Sequence, residues 1–110
     1  MNEKVSLYYY KSSNITIYVD AYLNEGNLVI DGYDIGSTVN EAWGDSDYEY
    51  SITVKKENLI ALCHTLGIET DNHDVLLKKM VEKFSGNEGF SRFSDFLRQN
   101  GIDFDPFSWT

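Results

Sequence analysis

At 110 residues the chain fits one domain, expected to span 1–110, with enough length to bury a single core. Its 18 acidic against 9 basic side chains leave a net charge of -9, a sign that disfavours DNA, RNA and anionic lipid and favours a basic protein partner. One cysteine cannot form an internal disulfide, and no charged start followed by an apolar run marks a signal or a membrane span, so a cytoplasmic setting is expected.

The charge is unevenly spread. Residues 1–54 carry nine acids and only Lys4 and Lys11 as bases, whereas residues 55–110 carry nine acids and seven bases. Between Lys11 and Lys55 there is no cationic side chain.

In chain order, Val5, Leu7 and Tyr9 alternate with Ser6, Tyr8 and Tyr10, the period of a strand, and Lys11 to Asn14 supplies turn formers. The partner strand, Ile15 to Leu23, sets Ile15, Ile17, Val19, Ala21 and Leu23 against Thr16, Tyr18, Asp20 and Tyr22, and the first set belongs in the core. Tyr8, Tyr10, Tyr18 and Tyr22 are then expected on the face opposite the aliphatic rows. Asn24 to Asn27 is a compact turn in which Gly26 takes a positive φ, and Leu28-Val29-Ile30 opens a third strand.

That strand runs into an acid-rich, aromatic stretch from Asp31 to Tyr50. Gly32 and Gly36 are expected to bend or bulge the backbone there, Ser37 to Trp43 suits a helical turn, and Gly44 breaks it. From Asp47 the alternation resumes, with Tyr48, Tyr50, Ile52 and Val54 on one side and Asp47, Glu49, Ser51 and Thr53 on the other.

After Lys55 the period becomes helical. Leu59, Leu62, Cys63 and Leu66 make one stripe that Gly67 ends, and a second helix from Thr70 or Asp71 carries Val75, Leu76, Met80, Val81 and Phe84 until Gly86. A third, from about Ser91 to Asn100, carries Phe93, Phe96 and Leu97. The aromatic tail contains Pro106, which restricts it to an edge strand or a plug. Strands first and helices after predict an α+β fold: an antiparallel sheet of about four strands, an N-terminal meander, packed against about three helices.

The residues offer little for catalysis. Asp45, Asp47 and Glu49 stand at alternate positions, yet a calcium loop would need glycine and glutamate where Tyr50 and Lys56 stand, so no metal site is assigned. Asp31 with Asp34, or Asp45 with Glu49, has only its residue type to recommend it as an acid–base pair, which makes a carboxylate-dependent hydrolase the weakest reading. Cys63 and His64 are neighbours on a helix whose side chains diverge by about 100°, so they form no nucleophile–base pair. His73 suits the first turn of the second helix. No catalytic residue and no cofactor is expected. Tyrosines beside acids suit binding instead, since tyrosine buries large area and keeps a polar handle.

The segments Leu28 to Gly36 (LVIDGYDIG) and Trp43 to Tyr50 (WGDSDYEY) carry a resemblance, as do Lys83 to Gly86, Gly101 to Phe104, and Trp109. They resemble a group of small acidic bacterial proteins similar in size, acidity and layout to the immunity proteins of contact-dependent inhibition and polymorphic-toxin systems. The resemblance implies a non-enzymatic cytoplasmic inhibitor that binds the toxin domain of a secreted effector, often a basic nuclease, with carboxylates standing in for phosphates. It assigns no catalytic residue. The expected partner-binding set is Asp31, Tyr33, Asp34, Asp45, Asp47, Tyr48 and Glu49, with the tyrosines as anchors and Asp34, Asp45, Asp47 and Glu49 free to meet the partner. Gly32, Gly36, Trp43, Gly44, Tyr48 and Tyr50 are read as architecture, Tyr48 thus serving both the fold and the expected interface. The alternative is a non-catalytic regulatory or interaction module whose acids only solubilise it.

Overall fold

The computed structural model describes residues 4–13, 15–36, 47–69 and 72–109, the side chains of Asp47 and Trp109 excepted. Strands β1 (Lys4–Lys11), β2 (Ile15–Asn24), β3 (Asn27–Gly36) and β4 (Asp47–Val54) precede helices α1 (Lys56–Leu66), α2 (His73–Phe84) and α3 (Gly89–Gln99), and β5 (Asp105–Trp109) ends the chain. The sheet is a five-stranded antiparallel meander in the order β1-β2-β3-β4-β5. The fold is therefore α+β, with the aromatic tail forming a fifth strand at the sheet edge, where a proline is tolerated.

The helices cover one face of the sheet. Val19, Ala21, Leu23, Leu28, Ile30, Ile52 and Val54 face them and are buried, joined by Leu59, Leu62, Cys63 and Leu66 of α1, Leu76, Leu77, Met80 and Phe84 of α2, and Phe93 and Leu97 of α3. The α2 stripe differs from expectation. Leu77 is buried with Leu76, Met80 and Phe84, whereas Val75 and Val81 are 37% and 38% exposed, so the stripe that meets the sheet is centred one residue further along; α2 starts at His73, capped by Asn72, whose side chain accepts from the Val75 amide at 3.2 Å. The third helix begins earlier than expected, at Gly89.

Two local features depart from simple alternation. The β2–β3 turn places both Glu25 (φ 54°) and Gly26 (φ 85°) in the left-handed region, the pattern of a type I′ hairpin, which suits the twist of the flanking strands. In β1 the register shifts between Ser6 and Tyr8. This bulge overturns the expected alternation. Tyr8 pairs with Val19 and Tyr10 with Ile17, so both lie on the helix side, and Tyr9, paired with Tyr18, moves to the open side. The Leu7 carbonyl is taken by the Gly86 amide at 2.8 Å, so the chain after α2 ties down the bulged residue.

No bend occurs at Gly32. Strand β3 pairs residue by residue with β2 and β4 straight through it. What requires glycine is the Tyr50 ring, which crosses the backbone so closely that a Cβ at position 32 would stand 1.8 Å from its Cε2. The expected helical turn at 37–43 and the break at Gly44 lie outside the described residues. Among the described residues no helix is long and apolar enough to cross a membrane.

Candidate functional site

Antiparallel register brings residues from all five strands into rows across the face that the helices leave open. One row runs Ser6, Asp20, Asp31, Ser51, Phe107; the next runs Tyr9, Tyr18, Tyr33, Glu49. Tyr9 and Phe107 are each 55% exposed, large for aromatic side chains, and Tyr18 and Ile35 are exposed beside them. The Tyr9 and Tyr18 rings meet at 5.3 Å. Two shallow depressions of about 200 and 240 Å³ share Asp31 and Tyr33 as their common wall. Glu49, Ser51 and Phe107 bound the first, and Lys4, Tyr18, Asp20 and Ile35 the second.

Charge on this face is concentrated and arranged against the fold's own interest. Asp20 and Asp31 are direct cross-strand partners, an opposition of like charges that destabilises a sheet. Asp31 accepts a 2.8 Å hydrogen bond from the Tyr22 hydroxyl. Burial, then the hydrogen bond and charge of Asp31, push the Tyr22 hydroxyl up to about 12. Burial pushes the Asp20 carboxyl above the usual carboxylate range, Lys4 pulls it back, and Asp31 adds to the rise. Lys4 itself lies over the Tyr22 ring at 5.2 Å. None of the ion pairs found among the described residues involves Asp20, Asp31 or Glu49.

Sheet parity splits the expected partner-binding set. Asp31, Tyr33 and Glu49 come together on the open face. Asp34 and Tyr48 pair with each other across β3 and β4 but on the helix side, so they cannot share a surface with the first three. Asp34 is also held, because its Oδ1 accepts from the Tyr50 hydroxyl at 3.0 Å, and burial together with that carboxylate raises the Tyr50 hydroxyl. Asp31 and Asp34 are thus both engaged by tyrosines, and Asp34 is not free as had been expected. Asp45 lies outside the described residues. Asp47 continues β4 opposite Ile35, and its side chain lies outside the described part of the structure.

Asp20, Tyr18 and Phe107, which line the open face, were not in the expected partner-binding set. The alternation of β2 already set Asp20 and Tyr18 apart from the core row. Their pairing with Asp31 and Tyr33 requires the register, which the turn at Glu25-Gly26 sets. Among the described residues, no group of three or more His, Cys, Asp or Glu side chains stands close enough to hold a metal ion. The arrangement suits recognition: exposed rings to bury, and carboxylates between them to receive cations. Comparison of the chain with protein-family models, with curated proteins and with solved structures returns no match.

Proposed function

We propose that this protein is a cytoplasmic immunity protein that binds and neutralises a basic toxin domain through the open face of its sheet. The observation that carries the reading is the Asp20–Asp31 opposition set among exposed aromatic rings. A like-charge pair costs the free protein stability, and a lysine or arginine from a partner offsets that cost on binding. Local violations of folding logic are expected where function resides. The excess of negative charge also accelerates capture, since electrostatic steering raises association rates by about 10- to 1,000-fold. The sequence resemblance supports this class of partner, and the exposed rings and carboxylates of the open face support this location.

The test is protection. The gene should lie directly after one encoding a large secreted protein with a toxic C-terminal domain. Cells expressing that domain should survive when this protein is co-expressed, and lose protection when Asp20, Asp31 and Glu49 are reversed together to lysine. A folded triple variant that still protects would overturn the placement, and absence of protection by the unaltered protein would overturn the function.

A further inference from the structure

On the opposite side of the sheet from the partner face, α3 does not close against β4 and the C-terminal segment. Phe90, Ser94 and Arg98 recur at every fourth position and form one stripe of α3. Across from this stripe stand Tyr48 and Tyr50 on the helix side of β4, and Phe104 just before β5. The gap between them is an open cleft of about 330 Å³, within the range of small-molecule sites.

The two ends of the cleft differ in chemistry. At one end Tyr50 meets the edge of Phe90 at 4.8 Å and Tyr48 at 5.2 Å, a wall of rings held in place by the Tyr50–Asp34 hydrogen bond. At the other end the Arg98 guanidinium lies over the Phe104 ring at 5.3 Å. Its Nη1 donates to Ser94 Oγ at 3.3 Å and reaches Asp95 Oδ1 at 3.5 Å, both long contacts. Both fall on the same nitrogen. These side-chain contacts thus tether one nitrogen, and Nε with Nη2 is the edge of a guanidinium that a carboxylate can take in bidentate fashion. Arg98 is the only charged side chain among the described residues that line the cleft. Arg98 is ion-paired with Asp95 at 3.5 Å, but that carboxylate does not line the cleft, so in a chain of net charge -9 a small anion meets a cation here with no carboxylate in the same wall.

We propose that this cleft is a binding site for a small planar aromatic carboxylate, its ring against Tyr48, Tyr50 and Phe90 and its carboxylate on Arg98. The cleft opens on the other side of the sheet from the partner face, although Ser51 and Phe107 border both, and the two proposals are tested independently.

The test uses 2-naphthoate and its neutral counterpart 2-naphthamide, each titrated into the labelled full-length protein and followed by two-dimensional amide NMR. Naphthoate should give saturable shifts centred on Ser94, Arg98 and Phe104, and naphthamide should bind about 10- to 100-fold more weakly, the worth of a charge-assisted hydrogen bond. Arg98→Gln should reduce naphthoate to the level of the amide while leaving the rest of the spectrum in place. Equal affinity of the unaltered protein for the two compounds would overturn the proposal, as would shifts centred elsewhere or no saturable response. The comparison of the two compounds needs no variant, so it decides the matter even where Arg98→Gln disturbs the fold.

Discussion

The ring of Tyr50 lies across the backbone of Gly32 on the neighbouring strand, occupying the space that any side chain at position 32 would need. The ring has no easy retreat. Its edge contact with Phe90, its neighbour Tyr48 and its hydroxyl on Asp34 fix it on three sides. Gly32→Ala should therefore destabilise the protein by about 2 kcal/mol, in the range of overpacked cores. The extended backbone at Gly32 would otherwise favour alanine. A double-mutant cycle with Tyr50→Val, read by urea denaturation, should show that Gly32→Ala costs far less once the ring is gone. Additive effects would show that the glycine serves some other purpose.

The same pair shows where reading the sequence runs out. Alternation in β2 and β4 and the helical stripe of α1 were legible, because side-chain period is a local property that Val19, Ala21, Ile52, Leu59 and Leu62 display directly. A glycine inside a strand is equally compatible with a bulge and with close approach of a ring, and only the β3–β4 register, which sets Gly32 opposite Tyr50, decides between them. The bulge in β1 was hidden for a related reason. Ser6, Leu7 and Tyr8 carry no turn signal, and the partner that stabilises the bulge is Gly86, remote in sequence. At the candidate site, Asp31 and Asp34 look like one cluster by position yet belong to opposite faces by parity, while Asp20 and Phe107 join Asp31 only through pairing across the sheet.

Tyr22 should make stability fall steeply in alkali. Its hydroxyl, raised to about 12 in the folded protein, has an ordinary value near 10 in the unfolded chain. The folded state thus holds its proton more tightly, so this contribution is fully present below pH 10 and is lost as pH rises from about 10 to about 12. Tyr22→Phe removes both the hydrogen bond to Asp31 and the titration. The variant should be less stable at pH 7 by about 1 kcal/mol and should lose less further stability than the parent between pH 9 and pH 11. Parallel pH profiles from thermal melts would show that the hydroxyl is not coupled to Asp31.

Arg92 of α3 ties the end of α2 to its neighbour, with Nη1 donating to the Lys83 carbonyl at 3.0 Å and Nη2 to the Ser85 carbonyl at 2.6 Å. Carbonyls at a helix C-terminus lack partners of their own and carry the negative end of the helix dipole, so a cation there satisfies both needs. Arg92→Ala should cost about 1 kcal/mol, a figure kept low by solvent exposure, and lower the melting temperature by about 4 °C. Arg92→Lys keeps the charge but not the two-armed geometry and should recover less than half of the loss. Full recovery by lysine would mean that only the charge matters.

Asp20 should oppose stability and serve binding. Its carboxyl is raised by burial, with Asp31 adding to the effect against the pull of Lys4, so its favourable contribution exists below pH 3.8 and is lost as pH rises through the folded-state value. At pH 7 the ionised group therefore works against the fold, opposite the carboxylate of Asp31. Asp20→Asn keeps the shape and removes the charge. The variant should be more stable than the parent at pH 7, by about 0.5 kcal/mol, with the difference closing as the parent is titrated below pH 4. If the open face captures a basic partner, the same substitution should slow association and make its rate less sensitive to salt, because one of the steering charges has gone. Urea denaturation at pH 7 and pH 3.5 measures the first effect, and stopped-flow association at two ionic strengths measures the second. A gain in stability with unchanged association kinetics would place the partner elsewhere on the molecule, whereas a loss in both would show Asp20 to be structural, held by Lys4 against the burial that disfavours it.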